Sequence, residues 1–180
     1  MTATTATPRI TRTNGVAART PTEESPAGSQ IGKLATYWLT LAGVYLMQGA
    51  LWYYGAYEKI IGGDLKAPAG ISKGFSGTFV DSFPGVGVAW GAISILEALL
   101  VVGLAASLIR GEFLPGRAKT ILMATLGGSV VVLGMLLFGQ SMIGEHESVA
   151  SLFTYGGVTF IMMGVVAALA PGGRFWSRES

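Results

Sequence analysis

Four apolar stretches dominate the chain, over residues 35–57, 85–109, 121–142 and 149–169. Each is long enough to cross a hydrocarbon core, which needs about 20 helical residues. The connections between the second and third stretches and between the third and fourth are short, which favours antiparallel neighbours. The pattern predicts an all-α membrane protein, an up-down bundle of four transmembrane helices filling residues 31–171. Residues 1–30 are rich in Thr, Ala, Arg and Pro and nearly lack large apolar side chains. Such a segment cannot offset the entropy of ordering, and it reads as a disordered cytoplasmic tail. Residues 172–180 form a second, short tail.

The segment 58–84 is too long for a mere turn. Its apolar residues Ile71, Phe75, Phe79 and Phe83 recur every four positions, as on one face of a helix. A short amphipathic helix lying on the membrane surface or capping the bundle is expected there. Pairs of small residues, among them Gly87 with Gly91, Gly127 with Gly128, and Gly156 with Gly157, would let neighbouring helices approach closely.

Composition agrees with the pattern. The chain is 51% hydrophobic and 12% charged, with a mean hydropathy of +0.55, values of an integral membrane protein. The net charge of +2 does not point to nucleic acid, because the basic residues are distributed as a topology signal. Arg9, Arg12, Arg19, Lys33, Arg110, Arg117, Lys119, Arg174 and Arg178 fall on one side of the predicted bundle, and Lys59, Lys66 and Lys73 on the other. The positive-inside bias then places both termini in the cytoplasm of a multi-pass protein of the cell membrane.

The candidate chemistry begins with Glu97, an acid in the middle of the second apolar stretch. A charged acid at that depth costs about 2.5–3.5 kcal/mol on insertion scales, so it is usually partnered, protonated or functional. Trp90, Ser94 and Glu97 share one helical face. Glu97 reads either as a proton-accepting or ligand-orienting group facing the interior, or as a protonated acid bonded to a neighbouring backbone group or serine. Gln48, Trp52, Gly55 and Lys59 follow one another at steps of four, three and four on one side of the first helix. Gln48 fits an interhelical hydrogen bond as well as a ligand contact. Lys59 is expected to snorkel at the outer interface, too shallow for an ion pair with Glu97.

Gln140 and Ser141 end the third helix, and Glu145, His146 and Glu147 follow at the mouth of the bundle. Three adjacent residues do not converge on one ion, so His146 reads as proton-exchanging or solvated and no metal site is expected. Gln48, Trp52, Lys59, Trp90, Ser94, Glu97, Gln140 and His146 make up the candidate binding set, with Glu97 the candidate proton-handling group. With no cysteine and one histidine, the chain by itself holds no iron-sulfur cluster and no bis-histidine haem. No phosphate loop, dinucleotide fingerprint or nucleophile elbow is present, and no catalysis by the chain alone is expected.

Two motifs carry a family resemblance. The stretch GAYEKI supplies Gly55 and Lys59 at the end of the first helix, and ILEALLVVGLAASLIRGEF supplies Glu97, Gly103 and Arg110 in the second. Over residues 37–169 the chain resembles the DoxX-like family of small four-helix membrane proteins. It departs from the family pattern in a Gly-to-Lys interval one residue longer, in the long outer loop and in the lack of early glycines after Glu97. The resemblance implies an integral membrane subunit that supports a quinone-linked or respiratory redox assembly, by binding a quinone or by anchoring a hetero-oligomeric partner, with Glu97 and Lys59 as the carried-over positions. The alternative is a purely structural accessory subunit of a larger membrane complex. A small transporter is disfavoured, since no inverted repeat or broken helix pair is evident.

Overall fold

The computed structural model describes residues 26–172. The two expected tails, with five of the basic residues that set the topology signal, lie for the most part outside this range. The described residues form α1 (Pro26–Tyr57), α2 (Ala69–Gly74), α3 (Phe79–Ser82), α4 (Val86–Ile109), α5 (Thr120–Met142) and α6 (His146–Leu169), with no strand among them. Helix α1 starts at Pro26 rather than at residue 35, so residues 26–30 belong to a helix and not to the tail. It continues past Tyr57 as a π-helical turn, Glu58–Gly62.

Three helices, α4, α5 and α6, are long and apolar enough to cross a membrane. Their outward faces carry large apolar side chains, among them Ile109, Val131, Phe153 and Phe160. In water such surface would be an aggregation hazard, whereas in lipid it is the solvated face. The chain is therefore a multi-pass membrane protein.

Helices α1, α4, α5 and α6 follow one another around the bundle. Each packs along the next, but the seam that would close the ring, between α1 and α6, is sparse. Neighbours run antiparallel: Gly103 meets Thr125 and Leu100 meets Gly128 across the α4–α5 contact. At Gly103 the helices come so near that an added Cβ would collide with the Thr125 hydroxyl. Close approach is thus achieved at Gly55, Gly103 and Gly128, while Gly87, Gly91, Gly156 and Gly157 face open space. Small residues license close packing, but only contact geometry selects which of them use it.

The core has two apolar clusters. The larger joins Tyr37, Leu41 and Val44 of α1 to Leu104, Leu122, Leu126, Met162 and Val166. The smaller holds Trp52, Leu100, Val132 and Leu133. Buried polar side chains, Gln48, Ser94, Glu97, Ser129 and Thr159, are set into the same interior.

The segment between α1 and α4 corrects the expectation of one amphipathic helix. Gly77 adopts a left-handed φ of 76° and Thr78 is extended, so the helical face breaks between α2 and α3. Phe75 is buried, and its ring packs on Gly139, 3.3 Å from where a Cβ would stand. Phe79 and Phe83 remain exposed. The four-residue spacing was real, but only its first half caps the bundle.

Candidate functional site

The site lies where the π turn of α1 meets α4. A π turn admits an extra residue and re-aims the side chains around it, and such turns are frequent at functional sites. Here Lys59 turns inward and its ammonium pairs with Glu97 Oε1. Gly55, one helical turn earlier, clears the space: a Cβ there would stand 3.0 Å from Glu97 Oε2. The Glu97 side chain is 2% exposed and that of Lys59 15%.

This overturns two expectations. Glu97 is half of a buried ion pair rather than an unpartnered acid, and Lys59 is not a solvated surface cation. The physical reason is depth. Helical continuation through the π turn brings the long Lys59 stem down to the level of Glu97, which a helix ending at Tyr57 would not do.

The Lys59 ammonium also sits over the Trp90 ring, 5.1 Å from its centroid, a cation–π contact worth about 0.5–2 kcal/mol. Two buried polar atoms beside this cation have no hydrogen-bond partner, the indole N–H of Trp90 and Oε2 of Glu97. Buried polar atoms are rarely left so, and an orphaned donor or acceptor costs about 1–3 kcal/mol.

Lys59 and Trp90 form a wall common to two cavities. One, of about 320 Å³, is bounded by Glu58, Gly62, Gly63, Lys66 and Pro68. The backbone that shapes it is unusual: Asp64 and Leu65 both have left-handed φ, 49° and 59°, costly for non-glycine residues. The Leu65 N–H donates to the Lys59 carbonyl at 2.9 Å, tying this turn back to the π segment. The second cavity, of about 430 Å³, is lined by Gln140 of α5 and by Glu147, Ser148, Ser151 and Tyr155 of α6.

The candidate residues therefore divide. Lys59, Trp90 and Gln140 stand on cavity walls, and Glu97 lies beneath Lys59, lining neither. Ser94 is buried and donates to the Trp90 carbonyl of its own helix at 2.8 Å. Gln48 and Trp52 belong to a separate network. The Trp52 indole donates to Gln48 Oε1 at 3.0 Å, and the Gln48 amide donates to the Thr159 hydroxyl at 3.0 Å and to Met162 Sδ at 3.5 Å. That amide is fully used in joining α1 to α6. His146 is exposed at the start of α6 and is not on the wall of either cavity.

Sequence reasoning set Glu147 at the mouth of the bundle but did not extend the wall along α6, although Glu147, Ser151 and Tyr155 recur every four residues and mark a polar helical face. It also missed a second acid. Glu112, between α4 and α5, is buried, and its two carboxylate oxygens accept the backbone N–H groups of Ile121 and Leu122 at 2.9 and 2.8 Å. These are orphan donors of the first turn of α5. Nearby Lys119 donates to the Leu114 carbonyl at 2.8 Å and lies over Tyr37, 5.4 Å from the ring centroid. Burial pushes the Lys119 pKa down, against the upward pull of Glu112. The Tyr37 hydroxyl closes this corner by donating to the Phe113 carbonyl at 3.1 Å.

Set against models of protein families, curated proteins and solved structures, the chain matches none.

Proposed function

We propose that this chain is an integral membrane subunit that seats a quinone head group against Lys59 and Trp90, in support of a quinone-linked or respiratory redox assembly. The reading takes α1 as a fourth crossing, because α1 is 32 residues long and turns Leu39, Leu46, Met47, Tyr53 and Tyr54 outward. It takes the Lys59 end as the outer one, from the distribution of basic residues, in the cell membrane.

One observation carries the proposal: Lys59 and Trp90, whose buried indole N–H has no partner, share the wall of two cavities at the end of a lipid-facing bundle. A quinone carbonyl needs donors, and the Lys59 ammonium and the Trp90 N–H are donors. The Gln140 amide and the hydroxyls of Ser148 and Ser151 stand on the wall of the larger cavity, where a second carbonyl oxygen can be met. Glu97 acts through Lys59, holding the ammonium in place from below. A bound quinone would supply a two-electron acceptor that takes up protons on reduction. The chain's own part is to position it and keep a charged donor at the carbonyl.

The test is purification in mild detergent with extraction of bound quinone, for the wild type, Lys59→Met and Glu97→Gln. Quinone retained by the wild type and lost from folded Lys59→Met supports the reading. Equal retention by all three, or none by any, removes it.

A structural accessory role has its own support. An apolar groove of about 290 Å³ between α5 and α6 exposes Gly134, Gly156 and Gly157, with Phe153 and Phe160 beside them. A partner helix would fit such a groove. Gly157→Leu should then release a co-purifying partner while leaving quinone in place.

A further inference from the structure

The sparse seam between α1 and α6 opens a groove of about 460 Å³ toward the lipid-facing side of the bundle. Its walls are Met47, Ala50 and Leu51 on α1 and Thr154, Tyr155, Val158 and Met162 on α6, with Gln48 and Thr159 at its floor. The floor is chemically quiet, because the Gln48 amide is spent on the Thr159 hydroxyl, Met162 Sδ and the Trp52 indole. What remains for an occupant is apolar surface, and the two methionines make that surface deformable.

Tyr155 belongs both to this groove and to the Lys59–Trp90 cavity. A molecule with a polar head and a long apolar chain therefore meets two compartments of matching character side by side. On α6 the groove runs from Thr154 to Met162, a length of ~12 Å at the helical rise. It leads away from the charged end, toward the middle of the bundle.

We infer that the α1–α6 groove holds the isoprenoid tail of the quinone whose head group lies against Lys59 and Trp90, and that this seam is its route in from the bilayer. The inference rests on the quinone reading of the head-group site. It adds that the ligand is a long-tailed membrane quinone and that the seam selects for the tail.

The experiment compares a quinone with a ten-carbon side chain against the same ring with a methyl group, by equilibrium binding to the purified protein in one detergent. Wild type is compared with Ala50→Trp and Thr154→Phe, which fill the groove from opposite walls at exposed positions. Partition into the micelle is common to all three proteins and cancels between them. The tail leaves a micelle rather than water, so its gain comes from packing against the groove, and the wild type should prefer the tailed ring about fivefold beyond the groove-filled variants. Both variants should keep the wild-type affinity for the methyl ring. A tail preference unchanged in both variants places the tail elsewhere and overturns the inference, as does a wild type indifferent to the tail because ordinary acyl chains fill the seam. If the wild type binds neither ring, the head-group reading has failed and the tail inference falls with it. A quinone bearing a photoreactive group on its tail gives an independent readout. Labelling at Met47, Leu51, Val158 or Met162 is expected, and labelling confined to α4 or α5 contradicts the inference.

Discussion

The two ends of the bundle each bury a glutamate near a lysine, and they use the pair in opposite ways. At the α4–α5 connection, Glu112 gives both oxygens to backbone N–H groups of α5, and Lys119 is bonded to a carbonyl and covered by Tyr37. Both buried charged groups of that corner, Glu112 and Lys119, have work inside the fold. On the Lys59 side, Glu97 gives one oxygen to Lys59 and leaves the other unpartnered, the Trp90 N–H is also unpartnered, and two cavities lie against Lys59 and Trp90. A buried charge is therefore not itself a sign of function. Unspent hydrogen-bonding capacity beside open volume is the better sign, because evolution of a purely structural corner would tend to fill or pair such atoms.

The sharpest way to break this comparison is to remove one member of each pair. Glu97→Ala strands the Lys59 ammonium at low dielectric and should cost about 3–5 kcal/mol of stability. Adding Lys59→Met should recover much of that loss, since no unpaired charge then remains. Denaturant unfolding in a defined detergent measures both, and a single variant as stable as wild type would show that the pair is not buried in the membrane-bound protein.

Glu112→Ala removes two charge-assisted hydrogen bonds at the start of α5 and should cost about 3 kcal/mol. Its quinone affinity should equal that of the wild type in whatever fraction stays folded. A selective loss of quinone from this variant would erase the distinction between the two ends. Gln48→Leu is the intermediate case: it deprives Trp52 and Thr159 of partners and should cost about 1–2 kcal/mol. Because Gln48 is fully used within the bundle, head-group affinity should hold.

The smallest expected effect is on pH dependence. Burial depresses the Lys119 pKa in the folded protein below its ordinary value of 10.5, so the unfolded chain holds the proton more tightly. Stability should then rise as pH climbs from below the folded pKa toward 10.5, and the gain should be complete above it. Lys119→Met should abolish this alkaline gain, measured as the difference between wild-type and variant unfolding curves over that range. A variant curve parallel to the wild type would place the alkaline response at another residue.

Helical segmentation was legible because it depends on composition over windows of about 20 residues, and no alternative satisfies the backbone of such stretches in lipid. Glu97 stood out for the same reason, as one acid in an apolar run. The fate of that acid was not legible. Its partner is 38 residues away, and the pairing depends on a π turn, on the absence of a Cβ at Gly55 and on the depth to which α1 slides past α4. The half-broken periodicity of residues 71–83 failed likewise, since α2 ends at Gly74 and a left-handed Gly77 keeps it from running on into α3 as the spacing promised. Glu112 drew no notice because a polar turn is unremarkable in sequence, and its role exists only once α5 presents two N–H groups to satisfy, those of Ile121 and Leu122.

By itself, then, the sequence determined the helical membrane character of the chain and singled out Lys59, Trp90 and Glu97 as residues to be explained. Hydrophobic periodicity acts locally along the chain, and both conclusions follow from it. Only the tertiary structure decided that Glu97 pairs with Lys59, that α6 supplies the far wall of the cavity, and that the α1–α6 seam stays open. These depend on which side chains meet at one depth across helices, and helix depth and rotation are set by packing between elements rather than by the pattern within any one of them.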